Sequence, residues 1–115
     1  MSHDIQMSAQ PIFRGLADPT RREIVTLLAR ESRSVSEIAG QFPISRNAIV
    51  KHLRVLEDSG LVVTETSGRE RINHLDPHGL KLAFDWLSDF NQFWDAKLLD
   101  LKTAVEEDVY DTPNP

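Results

Sequence analysis

Ile24, Leu27 and Leu28 fall on one face of a helix with 3.6 residues per turn, and the residues before them supply its start, with Asp18 suited to the N-cap and Pro19 to the first helical position. The pattern predicts a helix from Pro19 to about Arg30. Upstream, Ile12, Phe13 and Leu16 read as the end of another helix packed on the core, whereas residues 1–10 are polar and unpatterned and read as a flexible N-terminal arm. "SVSE" from Ser34 to Glu37 is a capping box, followed by a short helix with Val35, Ile38, Ala39 and Phe42 turned inward and Pro43 as its stop. Ser45 then caps a helix running to Gly60, a residue suited to the left-handed C-terminal position. From Leu61 to Leu75 the chain changes to β-branched and apolar residues around Ser67-Gly68, the pattern of a two-stranded hairpin.

Asp76 and Pro77 repeat the N-cap and first-turn device, and a long helix is expected to about Asp108. Within it Phe84, Asn91, Leu98 and Val105 are spaced by seven, as are Leu80, Leu87, Trp94 and Leu101, and the two sets alternate as in a coiled-coil seam. Trp86, Phe90, Phe93 and Trp94 add more apolar surface than one side of a small domain covers, so part of this helix should be buried against a partner. Asn91 sits at a core-like position of the seam, where a polar residue can fix register; the other reading places it on the solvent side of a longer-period stripe. Residues 109–115 read as a flexible tail, which leaves one domain over residues 11–108. The expected fold class is mainly α with a small β-hairpin.

With 115 residues, 40% hydrophobic and 27% charged, the composition is that of a soluble folded domain. No apolar run approaches the roughly 20 residues of a membrane span, and no secretion signal opens the chain, so no membrane association and a cytoplasmic location are expected. Zero cysteines exclude disulfides, thiolate metal sites and thiol redox chemistry. The formal net charge of -5 argues against a polyanionic partner until its distribution is considered. Arg14 to Leu75 holds ten basic and eight acidic residues, whereas Asp76 to Pro115 holds three basic and nine acidic. A nucleic acid responds to the local potential rather than to the total.

"SRNAIVKHLR", Ser45 to Arg54, contains three cations and no carboxylate. On a helix, Ile49, Leu53 and Leu56 share one stripe while Arg46, Asn47, Val50, Lys51 and Arg54 share the opposite one. Arg, Lys and Asn are the side chains that pair with phosphates or base edges in the major groove, and Val50 can meet a thymine methyl. Ser45 and the free amides of the first turn add a phosphate site, and His52, between the two faces, is a candidate for packing or a phosphate contact. Taken alone, three surface cations are as readily a solvated face. Context favours the DNA reading: a capped short helix, a tight turn, a capped basic helix and an immediate hairpin form a helix-turn-helix followed by a wing, with Arg69 and Arg71 beside the wing's turn and Glu65 and Glu70 partly offsetting them.

"FRGLADPTRREIVTLL", "SVSEIAGQFPISRNAIVKHLRVLEDSGLV" and "GRERINHL" resemble the winged helix-turn-helix repressors of the ArsR type, and "FDWLSDFNQFWDAKLLDLK" is similar to the C-terminal helix of a cysteine-free branch of those regulators. The resemblance covers roughly Pro11 to Glu107. It implies a homodimeric, sequence-specific DNA-binding transcriptional regulator, most often a repressor, whose first and last helices form the dimer interface. Phe13, Leu87, Asn91, Trp94, Leu98, Leu101 and Val105 are the interface candidates. The metal response common in such repressors is not implied, because Ser36 to Phe42 lacks the cysteine pair and the last helix has no histidine after His78. His74, Asp76 and His78 have the spacing of a nitrogen and oxygen ligand set, but Asp76 reads better as an N-cap. No cofactor or metal is therefore expected.

Among other classes, an enzyme has little support: no glycine-rich phosphate loop or nucleophile motif is present, and Asp85 with Asp89, one turn apart, reads as a wet helix face. A winged-helix protein-interaction module that does not bind DNA is the alternative, and it leaves Arg46, Asn47, Lys51 and Arg54 without a purpose.

Overall fold

The computed structural model describes the backbone of residues 2–111 and the side chains of residues 9–107. Helices α1 (Ser2–Gly15) and α2 (Pro19–Arg30) precede a two-residue strand β1 (Arg33–Ser34), and α3 (Val35–Ala39) leads through a turn to α4 (Arg46–Asp58). Strands β2 (Val62–Ser67) and β3 (Glu70–Leu75) follow, then α5 (Pro77–Ser88) and α6 (Asn91–Asp111). The strands form one antiparallel sheet in the order β1-β3-β2. Ile12, Ile24, Leu28, Ile38, Ile49, Leu56, Leu61 and Val62 meet in the core, so α1 to α4 and the base of the hairpin share one apolar centre.

The local signals act as expected where capping governs them. Asp18 Oδ2 accepts the Arg21 amide at 3.0 Å. Ser34 Oγ accepts the Glu37 amide at 3.1 Å while Glu37 Oε1 accepts the Ser34 amide at 3.0 Å. At the end of α4, Gly60 takes φ +89°, the Leu61 amide donates to the Leu56 carbonyl and the Gly60 amide to that of Glu57, which is a complete Schellman motif. Arg21 and Arg22 also close α1 from outside, with Arg21 Nε donating to the Gly15 carbonyl at 2.7 Å and Arg22 Nη1 to that of Leu16 at 2.8 Å.

Four expectations are corrected. Ser2–Gly15 is one helix, so the backbone of the residues read as an arm is helical, and Ala9 within it is buried. Of the expected tail, Val109–Asp111 belong to α6, and residues 112–115 lie outside the described residues. Helix α3 ends at Ala39 with Gly40 as its cap, before Pro43 can act. The hairpin turn is Gly68-Arg69, one residue later than read, because Ser67 pairs with Glu70; Gly68 at φ +64° beside Arg69 at negative φ defines a type II′ turn.

The largest departure is in the C-terminal half, where the long helix is two. The Asp89 and Phe90 amides donate to the Trp86 and Leu87 carbonyls, three residues back rather than four, and Ser88 Oγ donates to the Phe84 carbonyl at 2.8 Å. The seven-residue seam is therefore interrupted between Leu87 and Asn91. Phe13 packs edge-on against Trp86 at 5.4 Å between ring centroids and Trp86 against Phe90 at 5.0 Å, which joins α1 to the end of α5. Beyond that cluster every side chain from Asn91 to Glu107 is exposed.

Candidate nucleic-acid interface

Helix α4 is held by its apolar face, with Ile49, Leu53 and Leu56 buried, so the opposite face is fixed outward by the same packing. Arg46, Asn47, Lys51 and Arg54 are exposed and Val50 is half-buried. Ser45 Oγ accepts the Ala48 amide at 3.1 Å as the N-cap, and the start of α4 points its dipole and unpaired amides outward. The turn from α3 does more than connect: Arg46 Nη1 donates to Ser36 Oγ at 2.8 Å, which restrains the guanidinium at the mouth of the interface. Ser36 carries no charge and no motif, and sequence reading missed it.

Between α3, α4 and the hairpin lies a groove of about 420 Å³, lined by Arg46, Val50, Arg54, Arg69 and Arg71 among others. The fold thus brings five of the nine DNA-contact candidates to one concavity. Asn47 and Lys51 stand on the open face of α4 outside it. Glu57 and Asp58 occupy the exposed C-terminal end of the same helix and confine its cationic surface to the first two and a half turns.

His52 stands apart from this group. It is half-buried on the flank of α4, with Nδ1 3.9 Å from Asp18 Oδ2, and so looks toward the start of α2 rather than along the exposed stripe. The Asp18 carboxyl is held below its ordinary value of 3.8, chiefly by the Arg21 amide hydrogen bond and secondarily by the nearby His52 and Arg21 charges. The Glu37 carboxyl is held below 4.5 by hydrogen bonds from the Ser34 amide and hydroxyl. Both groups are caps, so these shifts belong to the scaffold of the interface.

The hairpin sorts its charges by face. Cross-strand pairs Thr64 with Asn73 and Thr66 with Arg71 place those four residues on the side toward α4, and Glu65 and His74 on the other. On that outer face His74 Nε2 lies 2.7 Å from Glu65 Oε1 and its Nδ1 2.6 Å from Ser32 Oγ, which ties β3 to β2 and to the residue before β1. Both ring nitrogens of His74 are engaged by side chains, and Asp76 Oδ1 accepts the His78 amide as the α5 cap. Arg71 Nη2 lies 3.6 Å from Glu57 Oε2 and donates to Thr64 Oγ1 at 2.9 Å.

Three short helices around one core, a recognition helix presented cation-first and a β-wing beside it define a winged helix-turn-helix DNA-binding domain. A model described as a helix-turn-helix domain matches residues 16–65. The HTH-type transcriptional regulator Rv2034 of Mycobacterium tuberculosis is 36% identical over 100 residues, covering 87% of this chain and 91% of the relative. Among solved structures, an ArsR-like transcriptional regulator from Rhodococcus sp. RHA1 superposes with TM-score 0.67 at 35% identity over 85% of this chain and 92% of that one. A homodimeric winged helix-turn-helix DNA-binding domain from Mycobacterium bovis matches 100% of this chain and 93% of its own with TM-score 0.61; at 19% identity that likeness is one of fold. The chain belongs to the ArsR family of winged helix-turn-helix transcriptional regulators. It is a DNA-binding regulator, and the family is not one of enzymes.

Proposed function

We propose that the protein acts as a homodimer on a pseudo-palindromic operator, placing its two α4 helices in successive major grooves about 34 Å apart and repressing transcription by occupying the site. The observation that carries the reading is the outward face of α4, where Ser45 to Arg54 present three cations and an amide with no carboxylate among them. Asn47, Val50 and Lys51 face base edges in this reading, with Ser45, Arg46 and Arg54 on phosphates and the wing beside them. His52, turned toward Asp18, buttresses the helix more than it contacts DNA.

The second copy is supported by apolar surface that one chain leaves open. Leu98, Leu101 and Val105 are 58%, 61% and 54% exposed, and with Trp94 they share one stripe of α6. Leu87 is also exposed, at the end of α5 before the break that separates it from that stripe. Phe13 is half-buried against Trp86 and contributes from behind it. Among the described residues no helix is long and apolar enough to cross a membrane; a second copy of the chain, meeting this stripe with its own, is the cover proposed here. The cytoplasmic location expected from the sequence is part of the same proposal.

Selection of bound sequences from random duplex DNA at stated salt tests the reading. Enrichment of two half-sites in inverted repeat, separated by about one helical turn, is the expected result; a pool that remains random after repeated rounds refutes it.

A further inference from the structure

Arg69 in the wing's turn and Arg71 just beyond it have different surroundings. Arg71 pairs in register with Thr66, and its side chain runs along the α4-facing side to reach Thr64 Oγ1 at 2.9 Å and Glu57 Oε2 at 3.6 Å. Thr64 Oγ1 in turn lies 3.4 Å from Glu57 Oε1. Three side chains from α4, β2 and β3 therefore close a loop of contacts across the groove. Arg69 is in the turn itself, exposed, and among the described residues no carboxylate lies within ion-pair distance of it.

We infer that Arg71 is a positioning residue: with Glu57 and Thr64 it clamps the wing against the recognition helix, and Arg69 carries the wing's contact with DNA. The physical reason is geometric. A guanidinium that already donates to a hydroxyl and lies beside a carboxylate of the same protein has part of its charge and one donor direction committed. Of the hairpin's strand residues only Val62 and Asn73 are buried, Val62 in the core shared with α4 and Asn73 donating to the Arg33 carbonyl of β1, and the outer half of the hairpin is exposed. A polar link near the end of α4 fixes the angle at which the two enter adjacent grooves. Glu57 thereby has a role opposite to what its charge suggests. On a helix directed at phosphates a carboxylate repels, but here it holds the wing in the orientation that binds.

The other charged groups lining the same groove are Arg46 and Arg54 from α4 and Arg69 and Glu70 from the hairpin. Their balance is positive, so removal of the Glu57 charge by itself raises the local potential toward DNA. The sign of its effect is for that reason diagnostic.

The test measures binding of full-length protein to a duplex that the wild type enriches from random DNA, at several salt concentrations. Glu57→Gln and Arg71→Ala are each expected to weaken binding about two- to five-fold, the range an exposed ion pair supports. The double variant should lose no more than either single one, and Arg69→Ala should cost less affinity in the Glu57→Gln background than in the wild type. Thr64→Val, which changes no charge, should move in the same direction, and thermal melts near that of the wild type show that each variant is folded. Unchanged or tighter binding by Glu57→Gln, or losses that multiply in the double variant, overturns the clamp and returns Arg71 to direct contact. The inference rests on DNA binding through α4: a wild type that binds no duplex refutes that binding, whereas normal wild-type binding with an unaffected Glu57→Gln refutes the clamp alone.

Discussion

Gly79 packs so closely on Gly60 that a Cβ at position 79 would lie 2.1 Å from the Gly60 carbonyl oxygen. Gly15 meets Ser59 in the same way, with its Cβ position 2.4 Å from the Ser59 hydroxyl. The end of α1, the end of the recognition helix and the start of α5 thus converge on a joint of residues without side-chain bulk. This joint keys α4 to the helix that leads into α6, and in a dimer that relationship sets the separation of the two recognition helices.

Gly79→Ala is expected to destabilise the protein by about 1–3 kcal/mol, the range for overpacking a filled site, because the obstructing atom is backbone and cannot change rotamer. Urea denaturation checks this, with a lowered midpoint at unchanged slope expected. A midpoint equal to that of the wild type contradicts the closeness of the joint.

Lys51→Ala and Arg54→Ala should weaken DNA binding and flatten its salt dependence. Each lost phosphate contact lowers the logarithmic slope by roughly 0.9, whereas a lost base contact leaves the slope nearly unchanged and relaxes sequence preference. Titrations at a series of salt concentrations separate the two roles for Lys51, and unchanged affinity and slope for both variants would remove α4 from the interface.

Leu98→Glu or Leu101→Glu should give monomers in sedimentation and lose operator binding together, since a charge on the exposed stripe of α6 has to be desolvated for the seam to close. The α1–α5 domain does not depend on those side chains, so its melting should persist. A wild type that is monomeric at micromolar concentration contradicts the dimer directly.

Stability should fall with acid through two caps. The carboxyls of Asp18 and Glu37 are both held below their ordinary values of 3.8 and 4.5 in the folded chain, so folding favours their ionised forms. Their contribution is complete above those ordinary values and is lost as the pH falls below them and through the lowered values of the folded chain. Asp18→Asn and Glu37→Gln keep a capping oxygen but do not ionise, so urea midpoints should decline less steeply with acid in these variants than in the wild type. An unchanged pH profile in the double variant would assign the acid sensitivity to other groups.

Where one residue governs the backbone, the sequence was readable. Asp18, Ser34, Ser45, Gly60 and Asp76 each act through local hydrogen bonds or a dihedral angle, and each boundary they imply for α2, α3, α4 and α5 is where the chain starts or stops, except the end of α3. The outward stripe of α4 was equally legible, because burying Ile49, Leu53 and Leu56 leaves Arg46, Asn47, Lys51 and Arg54 only one direction to point. Strand β1 was not, since two residues carry no period and become a strand only by pairing with Ile72 and Asn73. The break at Ser88–Phe90 escaped because a heptad count is indifferent to whether each amide bonds three or four residues back. Alternation along β3 did carry an unused signal: Arg71 shares its parity with the buried Asn73, which assigns it to the side facing α4.

By itself, then, the sequence determined the capped elements, their order and the polarity of each helix face, because these depend on contacts within a few residues. Tertiary structure decided which charges keep company. Ser36 restrains Arg46 from ten residues away, Asp18 stands beside His52 on the flank of α4, and Glu57 holds Arg71 across the groove. Pairings of that kind depend on where whole elements come to rest, and that position is set by hydrophobic packing at the Ile49–Leu56 face and by the Gly60–Gly79 joint.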